Sequence, residues 1–363
     1  MIKSKIIALL LLLILIPSNI FSKNGLTEVR IINDKFLING EFTYNNRTWN
    51  GYDIEGLLMN SRMVQGIFDD LNPQTSHLFA YPDTGIWDPE RNTDEFIEAM
   101  KTWKKHGLLA FTLNLQGGSP FGYKYKPVIN STFNENGELR PDYMKRLKKI
   151  LDAADQQGMV VILGYFYIAQ DGHLKDESAI LKAVDSITQW ILDNNYRNIL
   201  IEVANECDLG FHHEILKASR IHELITRIKN ITRNGRRLLV STSFSGGHLP
   251  TQKVAEEADF ILLHGNGMNN PQKIPSFVQK AREMIYPKKK PILFNEDDHF
   301  DFEKDTCNFS MAIASYASWG YFDYRFDGEG FNEGFQSVPV DWNINSDRKK
   351  GFFTKLKEVT GYE

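Results

Sequence analysis

Two segments of the chain each end in an asparagine followed by a glutamate. The first runs from residue 198 to Asn205 and Glu206, and the second runs from residue 290 to Asn295 and Glu296. Each segment is apolar before its end, so each can form a buried strand that delivers a carboxamide and a carboxylate to one pocket. A pair of carboxylates flanking a bond is the arrangement that cleaves glycosidic bonds. The two segments therefore indicate a site with two reactive glutamates.

The elements that must position these glutamates alternate along the chain from residue 62 onward. Short apolar runs alternate with amphipathic segments, which is typical of a parallel sheet covered by helices on both faces. Eight such units predict an α/β fold, a (β/α)₈ barrel, and an open doubly wound sheet is the alternative if the first or eighth strand is wrong. The predicted strands are 63–68, 108–114, 159–166, 198–204, 237–242, 260–263, 291–294 and 320–324, and the predicted helices are 94–106, 141–157, 176–194, 212–233, 251–258, 274–285, 306–318 and 347–360.

The start of the chain has the pattern of an export signal. Two lysines, Lys3 and Lys5, precede an apolar run over residues 6–16 that is too short to span a bilayer. This predicts a cleavable signal peptide over 1–22 and a secreted or periplasmic protein, with an uncleaved anchor as the alternative. No later stretch is apolar enough to be a membrane span. Residues 23–61 are expected to form an N-terminal β-hairpin and loop packed on the barrel, and 62–363 the catalytic barrel.

Composition excludes several classes of function. The net charge of −4 argues against a nucleic-acid partner. Cys207 and Cys307 are expected to be packed as small apolar side chains, with a bridge between them as the alternative. Among the predicted strand ends only His264 is a histidine, whereas metal-dependent barrel hydrolases need clustered histidines. We therefore expect neither a metal nor another cofactor.

In a barrel the reactive groups lie at the C-terminal ends of the strands. This rule makes Glu206 and Glu296 the predicted catalytic residues. It also selects most of the predicted sugar-binding residues. One tryptophan from the loop after the first strand is added, and so is Arg62, which adjoins that strand. The full set is Arg62, Trp87, Asn114, Tyr165, Asn205, His264, Asn266 and Tyr324.

The Asn-Glu pair after the fourth predicted strand and the glutamate after the seventh resemble the clan A glycoside hydrolases. The best-known members of that clan are the cellulase-like enzymes of glycoside hydrolase family 5. The resemblance implies that Glu206 is the general acid/base, that Glu296 is the nucleophile and that Asn205 holds the sugar 2-hydroxyl. His264 is similar to the clan's histidine on strand six, although Asn266 stands where a tyrosine usually follows it.

The sequence departs from the family 5 pattern at several other positions. The family has arginine on strand two and histidine on strand three, where this chain has Asn114 and Tyr165. Arg62 could supply a guanidinium from the first strand instead. The tryptophan platform of strand eight is absent, which leaves Tyr324 or Trp342 as substitutes. These departures indicate a divergent member of the clan.

The predicted function is that of a secreted retaining glycoside hydrolase acting on a poly- or oligosaccharide through a glycosyl-enzyme intermediate. A transglycosylase and a carbohydrate-binding barrel without turnover are the alternatives.

Purely structural roles remain as alternatives for some single residues. His264 could be a core imidazole, Arg62 could pair with Asp69, and Trp87 could stack on a sugar or pack its loop. The run Asp297 to His299 is expected to be loop scaffolding and not a ligand set.

Overall fold

The computed structural model describes residues 25–124 and 127–362. The signal peptide predicted for residues 1–22 lies outside the described residues. Within them, no helix is long and apolar enough to cross a membrane.

Eight parallel strands and eight helices alternate through the described chain. The strands are β1 Asn60–Arg62, β2 Ala110–Asn114, β3 Val160–Phe166, β4 Ile199–Ala204, β5 Leu239–Ser241, β6 Ile261–His264, β7 Ile292–Glu296 and β8 Gly320–Phe322. The helices are α1 Pro89–Lys105, α2 Pro141–Gln157, α3 Glu177–Asp193, α4 Ile221–Asn230, α5 Gln252–Glu257, α6 Ile274–Ile285, α7 Asn308–Ala314 and α8 Asp347–Thr360.

The strands form a closed ring. Six of them are hydrogen-bonded in the order β5, β4, β3, β2, β1, β8, and β6 pairs with β7. Bridges from Leu293 to Ser318 and from Asp297 to Tyr321 join β7 to β8. The backbone bond from Asp259 N–H to the Val240 carbonyl joins the approach to β6 with β5. The fold is therefore the predicted (β/α)₈ barrel.

The strands are buried on both faces, as expected for a sheet enclosed by helices. All seven residues of β3 are buried. The helices begin and end at conventional signals: the Asp88 side chain caps α1, Pro141 opens α2, and Gly158 closes α2 with a φ of 71°. The predicted boundaries of α2, α6 and α8 agree with the structure. In α2 the proline at the start and the glycine after the end explain this agreement.

The N-terminal hairpin caps the base of the barrel. Its strands Val29–Ile32 and Lys35–Ile38 are antiparallel, and a third strand, Glu41–Phe42, extends the sheet. The Val29 N–H donates to the Arg197 carbonyl just before β4. The Asp155 side chain, near the end of α2, accepts from the N–H groups of residues 25–27. A second short pair, Thr48–Trp49 with Tyr52–Asp53, follows in the loop that leads to the barrel.

The predicted first strand was wrong. Residues Val64–Gly66 form a 3₁₀ turn, and β1 is Asn60–Arg62, which pairs with β2 and β8. Three buried polar residues thus form the strand. Of the apolar residues that follow, Met63 and Ile67 belong to the main core, and Phe68 lies against Phe79 in a small core under the loops. The predicted helix 212–233 was also too long, because it contains a separate 3₁₀ turn, Glu214–Leu216, before α4.

Candidate active site

Glu296 is the last residue of β7, and it is held by the guanidinium of Arg62 at the end of β1. The Arg62 Nε lies 2.7 Å from Glu296 Oε2, and both side chains are buried. Arg62 Nη2 also donates to Asn205 Oδ1 at 2.6 Å. One guanidinium therefore fixes a carboxylate from β7 and an amide that follows β4. Arginine is suited to this role because its planar guanidinium presents several N–H donors in a fixed arrangement.

His264, the last residue of β6, stands between the two predicted catalytic glutamates. Its Nδ1 is 3.0 Å from Glu206 Oε1 and 3.6 Å from Glu296 Oε2. An oxygen of each glutamate and a nitrogen of His264 all lie within 4.8 Å of one another. Because Nδ1 faces two carboxylates, we assign a proton to it. The structure thus brings Glu206 and Glu296 together from strands four and seven.

Opposing effects act on the charge of His264. Burial lowers the pKa of the imidazole, whereas the charges of Glu296 and Glu206 and the hydrogen bond to Glu206 raise it. The carboxylates outweigh burial, so the pKa of His264 is raised from its ordinary value. The imidazole is therefore a cationic partner for the glutamates over a wider pH range than a free histidine.

Glu206 has an unusual backbone conformation. Its φ is 51°, in the left-handed region, which costs a non-glycine residue about 1–2 kcal/mol. The Glu206 N–H donates to Ser243 Oγ at 3.0 Å, and the Cys207 N–H donates to the Ser243 carbonyl at 3.1 Å. The loop after β5 thus holds the strained turn that aims Glu206 at His264. Such strain is common at functional residues.

The other oxygen of Glu296 is bound by an amide. Asn266 Nδ2 donates to Glu296 Oε1 at 2.9 Å and also lies 2.8 Å from the Tyr123 hydroxyl. That hydroxyl donates to Asp298 Oδ2 at 2.7 Å. Tyr123 comes from the loop after β2, so a residue distant in sequence completes the hydrogen-bond chain above Glu296.

Burial dominates the electrostatics of Glu296. Loss of solvent raises its pKa, the cations Arg62 and His264 lower it, and the carboxylates Glu206 and Glu202 raise it again. The net result is a pKa above the ordinary value of a glutamate. The phenol of Tyr167 also interacts with Glu296. Burial and the charge of Glu296 raise the pKa of that phenol.

A cavity of about 250 Å³ opens beside Glu206. It is formed by the loops after β2, β3 and β4, and its surface is mostly apolar. None of the described residues that line it is lysine, arginine or histidine. The lining residues are Gly118, Ser119, Pro120, Phe121, Gly122, Tyr123, Val128, Tyr167, Ile168, Ala169, Gln170, Glu206 and Leu209.

Two groups of side chains in this region have ligand atoms spaced closely enough for a cation. One is Glu206, His264 and Glu296, and the other is Asp297, Asp298 and His299. In the first group the Arg62 guanidinium is already 2.7 Å from Glu296, so a divalent ion there would be repelled. In the second group Asp297 is fully buried and is engaged in structural hydrogen bonds. The geometry favours organic acid–base chemistry at this site.

Several solved structures with similar folds are glycoside hydrolases. A family 5 glycoside hydrolase from Bacteroides vulgatus aligns with a TM-score of 0.55 and 14% identity, covering 88% of this chain and 71% of that one. A family 5 mannosidase from Rhizomucor miehei aligns at 0.52 and 13%, covering 94% and 99%. A GH5-4 broad-specificity endoglucanase from an uncultured bacterium aligns at 0.52 and 13%, covering 84% and 94%. The chain has the barrel fold of family 5.

This likeness is one of structure. No protein-family model matches the sequence, and no curated protein matches it either. The TM-scores of 0.52–0.55 show a shared barrel fold, and because the identities are only 13–14% the chemistry must be argued from the residues themselves.

Six of the ten predicted site residues meet at the mouth of this barrel. They form one contact network in which Arg62 joins Asn205 to Glu296 and His264 joins Glu206 to Glu296. The six are Arg62, Asn205, Glu206, His264, Asn266 and Glu296.

Two strand residues were predicted for the site but lie elsewhere. Tyr165 faces the helices, where its hydroxyl is 3.1 Å from Thr188 Oγ1 of α3. Alternate residues of a strand face opposite sides, so Gly164 faces the interior and Tyr165 cannot. Asn114 does point inward, but it packs on Gly164, and its amide atoms have no hydrogen-bond partner among the described residues. The structure therefore does not bring Tyr165 to the glutamates, and Asn114 makes no hydrogen bond to either of them.

Two aromatic residues predicted to hold sugar lie in loops and pack on other aromatic side chains. Trp87 is stacked on Tyr81, with ring centroids 5.6 Å apart, and contacts Phe68 at 5.5 Å. Tyr324 lies at the rim with its ring centroid 5.3 Å from that of Tyr123. Of the two, only Tyr324 reaches a residue of the hydrogen-bond network above Glu296.

The remaining alternatives are decided by direct contacts. Asp297 accepts hydrogen bonds from Trp319 Nε1 at 2.9 Å and from Asn308, which ties this residue of the run 297–299 into the barrel. Both cysteines are free and buried. Asp69 does not pair with Arg62; its partner is Arg146, at 3.1 Å. Trp342 is buried in the core and cannot be a platform.

Sequence reasoning missed Tyr123, Tyr167 and Glu202. Strand parity would place Tyr167 on the same side as Tyr165, two residues before it. Tyr167 instead lies near Glu296, and it stands beyond the end of β3 at Phe166, where parity no longer applies. Glu202 does carry a signal, since a carboxylate inside an otherwise apolar strand must have a buried partner. Tyr123 lies in a long loop and has no comparable signal.

Proposed function

We propose that this protein is a retaining glycoside hydrolase in which Glu296 is the nucleophile and Glu206 the general acid/base. The observation that carries the proposal is the close approach of the two carboxylates, whose oxygens and His264 Nδ1 lie within 4.8 Å of one another. Retaining enzymes hold their carboxyl groups about 5–5.5 Å apart, whereas inverting enzymes leave about 6.5–9.5 Å for a water molecule. The family 5 barrel of the similar structures supports the same class of reaction.

The first step joins the sugar to the enzyme. Glu296 attacks the anomeric carbon as the bond to the leaving-group oxygen breaks, and Glu206 gives its proton to that oxygen. Arg62 and Asn266 bind the two oxygens of Glu296 and so fix the attacking carboxylate. In the second step Glu206 takes a proton from water, the water oxygen bonds to the anomeric carbon, and Glu296 leaves as a carboxylate.

Asn205 is placed to bind the sugar that reacts. Its Oδ1 accepts the hydrogen bond of Arg62, so its NH₂ group remains available as a donor to a sugar hydroxyl. We assign that contact to the 2-hydroxyl, beside the anomeric carbon attacked by Glu296.

The cavity beside Glu206 fits the leaving group. Glu206, as the general acid, must reach the oxygen of the leaving group. The leaving-group sugar therefore lies on the side of the scissile bond where Glu206 stands. A space of about 250 Å³ with a mostly apolar lining and no basic residue among its described lining suits a neutral sugar ring. The proposed substrate is thus a neutral oligo- or polysaccharide. The predicted leader would send this activity out of the cytoplasm.

The test is labelling with 2-deoxy-2-fluoro glycosides of a panel of neutral sugars, which trap a glycosyl-enzyme intermediate in retaining enzymes. We expect one added glycosyl mass, mapped by peptide sequencing to Glu296, and none in Glu296→Gln. For an unmodified substrate, NMR should show the first product with the anomeric configuration of the substrate. Inverted product, or a label on another residue, would refute the assignment.

Two further outcomes separate the alternatives. Labelling of Glu296 with transfer to an added sugar, and little free hydrolysis product, would identify a transglycosylase. Sugar binding measured by calorimetry, with no labelling and no turnover across the panel, would identify a binding barrel.

The acid limb of the pH profile is a direct prediction of the structure. Because burial raises the pKa of Glu296, its carboxyl stays protonated, and therefore cannot attack, at pH values where an ordinary glutamate is ionised. We expect kcat/KM to fall as pH decreases, with a midpoint above 4.5, the ordinary value for glutamate. The measurement is kcat/KM from pH 3 to 9 on any substrate from the panel, and a midpoint at or below 4.5 would contradict it.

A further inference from the structure

A third carboxylate, Glu202, lies inside the barrel beneath the two glutamates. It is in the middle of β4, four residues before Glu206, and it has no exposed surface. A carboxylate in this position loses its hydration, which is costly unless partners compensate. Its neighbours therefore decide what it does.

Those neighbours come from three other strands, and each touches or adjoins the catalytic pair. Glu202 Oε2 is 3.6 Å from Arg62 Nη1, and Glu202 Oε1 accepts from Asn295 Nδ2 at 3.2 Å. Glu202 Oε1 is also 3.9 Å from His264 Nε2. Arg62 contacts Glu296 through Nε, and His264 faces Glu296 through Nδ1. Asn295 directly precedes Glu296 in the sequence.

Arg62 is consequently shared between two carboxylates. Its Nε serves Glu296 and its Nη1 faces Glu202, while Nη2 is held by Asn205. A cation that also faces a second anion stabilises the first anion less, and a like charge nearby further disfavours ionisation. The effect of Glu202 on Glu296 is therefore opposite in sign to that of Arg62.

We propose that Glu202 is a positioning residue that orients Arg62 toward Glu296 and, by its charge, keeps the nucleophile more basic than Arg62 alone would allow. This inference rests on the proposed role of Glu296. Glu202 itself touches no reacting atom, since it is enclosed beneath the pocket. Its charge is also one of those that raise the pKa of Glu296, which agrees with the geometry.

Other groups also face this cluster, so the test must isolate Glu202. Glu296 is faced by Arg62 on β1, His264 on β6, Glu206 after β4 and Tyr167 after β3. The remaining groups with a charge interaction are the phenol of Tyr123 with Glu296 and the thiol of Cys207 with Glu202. A single isosteric change at Glu202 removes its charge and leaves the chemical identity of all these groups unchanged.

The experiment compares wild type, Glu202→Gln and Asp155→Asn. Asp155 is also a buried carboxylate, but it binds backbone N–H groups at the base of the barrel. The pKa of Glu296 is read by ¹³C NMR titration of protein labelled at the glutamate carboxyl carbon, with the resonance assigned by its loss in Glu296→Gln. This readout needs no substrate, so it is independent of whether the proposed hydrolase activity is found.

In Glu202→Gln we expect the pKa of Glu296 to fall by about one unit or more, and in Asp155→Asn to stay at the wild-type value. On an active substrate, the acid limb of kcat/KM should move to lower pH by the same amount. If the pKa of Glu296 in Glu202→Gln is unchanged or raised, the proposal is overturned. A lower maximum of kcat/KM with no shift of its acid limb would overturn it as well.

If Glu202→Gln does not fold, Glu202→Asp decides the question. That change keeps the charge but withdraws it from Arg62 by one methylene, so the pKa of Glu296 should fall by a smaller amount. An unchanged pKa in that variant would overturn the proposal. A shifted pKa with no turnover on any sugar would leave the positioning role intact and refute the hydrolase assignment.

Discussion

Glu296→Gln is expected to lower kcat/KM by about 10⁴-fold or more on any substrate, because glutamine keeps the shape of the side chain and cannot form the glycosyl ester. Removal of a covalent nucleophile abolishes both steps of the reaction. Glu206→Gln should be milder, with a loss on the order of 10²–10⁴-fold, the usual contribution of a general acid or base. Steady-state kinetics of purified variants measures both losses.

The two variants should also differ in their dependence on the leaving group. An aryl glycoside with an acidic phenol needs no proton from Glu206, so its first step should survive in Glu206→Gln and be observed as a burst of phenol. No burst is expected in Glu296→Gln. The matched control is Glu138→Gln, which removes an exposed carboxylate paired with Lys182 and should change kcat/KM by less than about twofold.

Near-normal turnover in Glu296→Gln, with the fold intact by circular dichroism, would exclude Glu296 as the nucleophile. Equal losses in the two variants with every leaving group would mean that the assigned division of roles is wrong.

Arg62→Met is expected to reduce the free energy of unfolding by about 3–5 kcal/mol, the usual cost of removing one partner of a buried ion pair. Arg62 is buried between Glu296 and Glu202. Methionine fills a similar volume but leaves both carboxylates without the guanidinium. Urea denaturation followed by tryptophan fluorescence measures the change.

An exposed arginine provides the comparison. Arg227 makes a two-point contact with Asp185 at 2.6 Å, and both side chains are partly exposed. Arg227→Met should cost no more than about 1 kcal/mol, because water can replace the lost partner. The double variant Arg62→Met with Glu202→Gln should recover part of the loss, since one buried charge is then removed with its partner. A loss in Arg62→Met no larger than in Arg227→Met would show that the buried pair contributes little.

Much of the fold was predictable because the signals are local. Helix α2 begins at Pro141 and is closed by Gly158, just after its last residue, so residues at its two ends dictate both limits. The pair Asn205–Glu206 follows an apolar strand, and a strand end can be identified from a few residues. The prediction of β1 failed because its signal is not local. Asn60 and Arg62 are polar, and only contacts across the barrel make such a strand stable.

The orientation of strand residues was less predictable. In β3 both faces are buried, one by the barrel interior and the other by helices, so hydrophobicity does not distinguish Tyr165 from its neighbours. The loop residue Tyr123 was beyond prediction for a different reason. Its place above Asn266 depends on how a long loop packs against others, and loop conformation is governed by those contacts and not by local propensity.

The sequence by itself determined the succession of strands and helices and the two glutamates that end strands four and seven, because periodicity, caps and strand ends are properties of neighbouring residues. Only the tertiary structure decided that Arg62 binds Glu296, that His264 joins the two glutamates, and that Glu202 lies behind them. These groups come from four strands spread over more than half of the chain. Closing the barrel brings them within hydrogen-bonding or ionic contact, and burial then makes their charges interdependent.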